Sequence, residues 1–131
     1  MTKSTENSDP QVVVAINQAI DLAANDKTSL AVQLLTDLVA EFPGASAVHD
    51  YLAWFLSESG RHEEAIKHSQ VAIELAPKSE SASLVHFHVL WKADQRVQSL
   101  DEMKRFMTIG YSEEYANIAR YLEPNPEPKD G

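Results

Sequence analysis

Three residue pairs recur at one separation: Ala19 with Ala53, Ala31 with Ala65 and Pro43 with Pro77 each lie 34 positions apart. A fixed period of about 20 to 50 residues marks one supersecondary unit copied along the chain, each copy burying its apolar face by stacking on the next. The recurrence restricts the chain to a quasi-linear stack before any single residue is weighed.

The content of the repeated unit is helical. Glycine is scarce, four in the chain, and apolar residues return at three- and four-residue intervals, the spacing of one buried helical stripe. A first helix is expected to open at Asp9, a capping residue, with Pro10 in the first turn where a missing N–H costs nothing. It runs to Asn25-Asp26. A second, from Thr28, ends at Pro43-Gly44, because proline disfavours helical geometry in the residue before it. A third, from Ser46, ends at Gly60, and a fourth follows to Pro77. A fifth starts at Ser79, a turn falls at Asp94-Gln95, and a sixth ends before Gly110. The seventh opens at Ser112, with Glu113 and Glu114 set against the positive helix end. Residues 1–8 and the proline-rich stretch 123–131 are polar and are expected to be disordered tails.

Within this pattern, HDYLAWFLSESGRHEEAIKHSQVAIELAP resembles one full repeat of the tetratricopeptide family, with Leu52, Ala53, Gly60, Ala65, Ala72 and Pro77 at the family's characteristic positions. The resemblance spans about residues 12–110, closest in the second repeat and weakest in the third. It implies an all-α solenoid of three antiparallel helix pairs, with repeats near 12–45, 46–79 and 80–111 and a capping helix over 112–122. Small Ala53 and Ala65 would let paired helices approach while Leu56 and Ile66 fill the space beside them. In the third repeat Phe87 and Ser99 occupy the small positions, and bulky Phe87 opposite Ser83 suggests a size swap between layers.

Composition removes several function classes. With no cysteine there is no disulfide framework or thiolate metal site, and a reducing, cytoplasmic setting is the simplest expectation. The start MTKSTENSDP lacks a signal-peptide core, and no segment approaches the roughly 18 apolar residues of a membrane span. A formal charge of −9 repels phosphate backbones and anionic lipids, so nucleic acid and membranes are not expected partners. The same field favours encounter with a basic protein or peptide.

By resemblance, the first helix of each pair lines the concave side and holds the partner. In this register Val13, Ile16, Asn17 and Ile20 face inward from the first repeat, and Asp50, Tyr51, Trp54 and Glu58 from the second. The third adds Leu84, Val85, His88, Trp91 and Lys92. Trp54 and Trp91 are the expected anchors, since an indole offers a large rigid surface with one N–H. Val13, Ile16 and Ile20 form a further apolar stripe that could serve a partner, a homodimer seam or the tail. Family members that hold chaperone tails use a Lys, Asn and Arg clamp. Here Ile16, Ile20, Tyr51, Ser81 and Val85 stand at those positions, and none can grip a carboxylate.

Catalytic and metal chemistry find no support in the residues. His86 and His88, two apart on one helix, point to different sides; His62 and His68 miss the i, i+4 spacing; His49 stands alone. Surface or edge roles are expected for all five. Lys104-Arg105 reads as a solvated helix face. No phosphate loop, GxSxG or HExxH motif occurs. The expected function is a non-enzymatic, cofactor-free interaction module for a protein or peptide client. The alternatives are a dedicated acidic chaperone or inhibitor and a self-associating structural protein.

Overall fold

In the computed structural model, which describes residues 3–122, one 3-10 turn and seven α-helices occur, and no strand is found among the described residues. The turn covers Lys3–Ser8, and the helices are α1 (Pro10–Ala24), α2 (Thr28–Glu41), α3 (Ser46–Glu58), α4 (His62–Leu75), α5 (Glu80–Lys92), α6 (Arg96–Met107) and α7 (Glu113–Leu122). The punctuation acts as the residues dictate. Asp9 Oδ1 accepts from the Gln11 amide at 2.9 Å, Ser79 Oγ from the Ala82 amide at 3.1 Å, and Ser112 Oγ from the Tyr115 amide at 3.0 Å.

The second helix of each pair starts without a side-chain cap, so the preceding turn must set its direction. One device does this three times. Asp26, Gly60 and Asp94, each 34 residues from the next, adopt φ of 63°, 80° and 67°. The following amides of Lys27, Arg61 and Gln95 donate back to the carbonyls of Leu22, Leu56 and Leu90 at 2.8–2.9 Å, closing the preceding helix. Only one of the three left-handed positions is glycine; the other two use aspartate, which tolerates that conformation better than most residues.

The helix pairs then stack. Within pairs α1 packs on α2, α3 on α4 and α5 on α6, and between pairs α1 approaches α3 and α3 approaches α5, with no comparable packing of α2 on α4 or α4 on α6. The stack therefore curves with α1, α3 and α5 on its inner side. Ala19, Ala31, Ala53 and Ala65 are fully buried at the pair contacts, and Leu35, Val48, Leu52 and Leu56 fill the core around them. A second cluster of Phe87, Met103, Phe106 and Tyr115 forms the far end, where α7 inserts Tyr115, 0% exposed.

The level of the 34-residue register that holds Ala15, His49 and Ser83 is filled by three different chemistries. Ala15 and Leu34 join the apolar core in the first pair. In the second, His49 Nδ1 lies 3.1 Å from His68 Nδ1 with the rings stacked at 5.3 Å, and His49 Nε2 lies 3.1 Å from the Pro43 carbonyl. That carbonyl can only accept, so Nε2 of His49 donates and its Nδ1 accepts a proton from His68 when both rings are neutral. In the third, Ser83 Oγ donates to Glu102 Oε2 at 2.6 Å, and Tyr115 OH donates to the Ser83 carbonyl at 2.9 Å. Arg105 closes the network on Glu102 at 2.7 Å and on the Pro77 carbonyl at 3.0 Å.

Several expectations need correction here. Residues 3–8 are not a disordered leader: Glu6 Oε1 accepts from the Gly44 amide at 2.9 Å, and Asn7 bridges the Ala47 amide and the Ser46 hydroxyl. The 123–131 tail lies outside the described residues. Histidines are not confined to surface or edge roles, since His49 and His86 are buried in helix seams. Arg105 is only partly solvated, because its guanidinium ties α6 to the α4–α5 turn.

Candidate interaction groove

The inner helices leave two adjoining pockets that share Trp54, Ser81 and Val85. The first, about 460 Å³, is completed by Ile20, Asp50, Tyr51 and Phe55. The second, about 770 Å³, is completed by Leu84 and His88, with Glu80, Tyr111, Glu113 and Glu114 at its far side. Trp54 is 39% exposed and meets His88 edge-on at 6.0 Å, so the α3–α5 contact itself forms the ridge between pockets. Ile20, Trp54 and His88 are one register position in successive repeats, which is why they form a row along the hollow.

The sequence-predicted residues do not all reach this row. Ile20, Tyr51, Trp54, Asp50, Leu84, Val85 and His88 line it. Val13 and Asn17 are exposed on α1 but line neither pocket. Ile16 is a correction: at 9% exposure it belongs to the core with Val12, Ala15 and Ala19, because α1 turns that side toward α3. Glu58 and Lys92 pair with each other at 3.6 Å across α3 and α5, both half exposed, a contact of small energetic weight. Trp91 is partly buried, stacked on Phe87 at 5.8 Å with the Arg96 guanidinium 4.6 Å above its ring. It lines a separate pocket of about 260 Å³ with Ile118, Tyr121 and Leu122. Phe55, Glu80, Tyr111, Glu113 and Glu114 were missed, the last three because helical periodicity does not say where a capping helix docks.

Asp50 departs most from expectation. The family register puts it on the inner face, open to a partner, yet it is only 8% exposed, and Oδ1 has no hydrogen-bond partner. Oδ2 accepts from Ser81 Oγ at 3.5 Å, the long limit of such a bond. Burial pushes this carboxyl up to about 7, only weakly opposed by Ser81. His88 is held below the ordinary imidazole value by desolvation, with Glu114 pulling the other way.

Two side-chain pairs invite a chemical reading. The His49–His68 contact has no third ligand, and no group of three or more His, Asp or Glu able to hold a metal occurs among the described residues. Ser69 Oγ lies 2.7 Å from His86 Nδ1, a spacing that suggests an activated nucleophile. Ser69, however, is fully buried and donates its proton to the Ile66 carbonyl at 3.0 Å, so Oγ accepts from the histidine and is not deprotonated by it. No helix among the described residues is long and apolar enough to cross a membrane.

Antiparallel helix pairs at a 34-residue period, with the first helix of each pair facing a hollow, define a tetratricopeptide-type helical repeat fold. Among solved structures the chain is similar to a point mutant of MamA, a tetratricopeptide-containing protein. The two superpose with a TM-score of 0.66 at 21% identity, over 84% of this chain and 81% of that one. At that identity the likeness speaks for the fold alone. No family model matches the chain, and no curated protein matches it in sequence.

Proposed function

We propose that this chain is a protein-interaction module that takes a peptide or protein segment in the hollow between α1, α3 and α5 and performs no chemistry. The observation that carries this is the row of half-exposed apolar and aromatic side chains, Ile20, Tyr51 and Trp54, continuous with Leu84 and Val85. Contiguous apolar surface held open by a rigid scaffold is stabilised by covering it, at roughly 25 cal/mol per Å² removed from water. Fold-level likeness leaves the client open; the site must supply it. The test is affinity capture on the wild-type chain against a Tyr51→Ala, Trp54→Ala double variant whose helicity is unchanged. Loss of the wild-type partners supports the groove, and an identical partner set removes it.

A second reading, a dedicated chaperone or inhibitor masking a basic client, is favoured by one observation. Glu80, Glu113 and Glu114 gather at one end of the hollow in a chain of net charge −9. Association that slows steeply as salt rises would mark this client class, and salt-insensitive association would speak against it. A third, self-association, draws on Val13, Val14 and Leu30, all exposed on the first pair. Light scattering that reports a monomer at high concentration rejects it.

A further inference from the structure

We infer that the pocket at Asp50 takes a cationic side chain of the partner, lysine or arginine, as its charge anchor, an inference that rests on the groove reading above. The register shows that the fold does not need a carboxylate here. Asp50 occupies the position held by Ile16 in the first repeat and Leu84 in the third, one a core residue and the other packed against the second core cluster. Aspartate at this level breaks the apolar pattern of its own repeat, and such local violations concentrate at functional sites.

Nothing among the described residues compensates the charge. Asp50 Oδ1 is buried without a hydrogen-bond partner, and Oδ2 has one long contact to a neutral hydroxyl. An isolated buried carboxylate loses its hydration without replacement, a cost that a bound cation offsets. The other ionisable side chains described on the elements around its pocket are Glu6 in the 3-10 turn, Asp21 on α1, His49, Tyr51 and Glu58 on α3, and Glu80, His86, His88 and Lys92 on α5. None of these pairs with it, and no lysine or arginine of the described residues does.

The walls suit the remainder of such a side chain. Ile20, Val85 and Phe55 offer apolar surface for a methylene stem, and the rings of Tyr51 and Trp54 attract a cation by their faces. The pocket volume of about 460 Å³ falls within the usual ligand range. The net charge of −9 raises the local concentration of cations at its mouth.

The test uses the full chain, isotope-labelled, titrated by NMR with N-acetyl-lysine N-methylamide and with its neutral isostere N-acetyl-norleucine N-methylamide. The lysine compound is expected to shift the signals of Ile20, Tyr51, Trp54 and Val85 and to bind about tenfold more tightly than the norleucine compound. Asp50→Asn is expected to abolish that difference. In the wild-type chain the carboxyl 13C titration of Asp50 is expected to move to lower pH when the lysine compound is present, a readout that needs no variant. Equal binding of the two compounds, no binding of either, or an unmoved Asp50 titration overturns the inference. Equal binding with partner capture still lost on Tyr51→Ala, Trp54→Ala leaves the groove standing without its charge anchor. Lysine-selective binding with capture unchanged overturns the groove reading instead.

Discussion

The second and third helix pairs follow the same backbone path with different seams. Both close their first helix through a leucine carbonyl and a left-handed turn residue, Leu56 with Gly60 and Leu90 with Asp94. Between α3 and α4 the close contact is alanine against alanine, beside a stacked histidine pair. Between α5 and α6, Ser99 donates to the Phe87 carbonyl at 3.1 Å, and Ser83, Glu102, Arg105 and Tyr115 form a buried polar network. The turns therefore fix the repeat, and the seam is free to vary as long as each buried polar group finds a partner. The third pair also has its own core cluster, completed by α7 rather than by a further repeat.

This contrast is easiest to break at Tyr115, the largest fully buried side chain. Tyr115→Ala removes the ring packed on Phe87 and Phe106 and the hydroxyl bound to Ser83, and is expected to cost about 3–5 kcal/mol in urea unfolding. Hydrogen exchange should show α5 and α6 losing protection before α3 and α4. Equal loss in both pairs would mean that their cores are not separate.

Asp50→Asn sharpens the comparison among Ile16, Asp50 and Leu84. The folded-state value of Asp50, about 7, lies above the ordinary 3.8. Its favourable share is fully present below 3.8 and is lost as pH rises through about 7. The variant is expected to be more stable than wild type by about 1–3 kcal/mol at pH 8, with the gain shrinking toward pH 5. A gain that does not change with pH would show that the buried charge is not its source.

The histidine seam has the opposite sign. Burial lowers both His49 and His68 from 6.5, so their contribution is present above that value and is lost as pH falls through their folded-state values. Rebuilding the seam with the residues of the first pair, His49→Ala with His68→Leu, is expected to flatten the acid slope of stability between pH 7 and 5, read by urea unfolding at each pH. His86 keeps a residual slope, being lowered by burial as well. The smallest effect belongs to the turns. Gly60→Ala meets no atom within 4 Å, so only its φ of +80° opposes it, at about 1 kcal/mol, while Asp94→Gly should gain a few tenths. Thermal unfolding resolves both.

Much of the fold was legible in the sequence because its punctuation is local. Asp9-Pro10, Pro43-Gly44, Ser79 and Ser112 bound helices by chemistry acting within a few residues. The missed features depend on distant neighbours. Glu6 and Asn7 are ordered by backbone amides 38 and 40 residues away, and no nearby pattern announces that. The family resemblance implied an inner face for Ile16 and Asp50 but could not tell that neighbouring helices would bury them. Trp54 and Trp91 looked alike as anchors; the stacking of Trp91 on Phe87 separates them.

The central claim is that partners enter the hollow between α1, α3 and α5. A photoreactive residue placed at Trp54, compared with one at Thr36 on the exposed face of α2, tests it most directly. Crosslinks to captured partners from position 54 and none from position 36 are the predicted result; adducts from position 36 alone would contradict it.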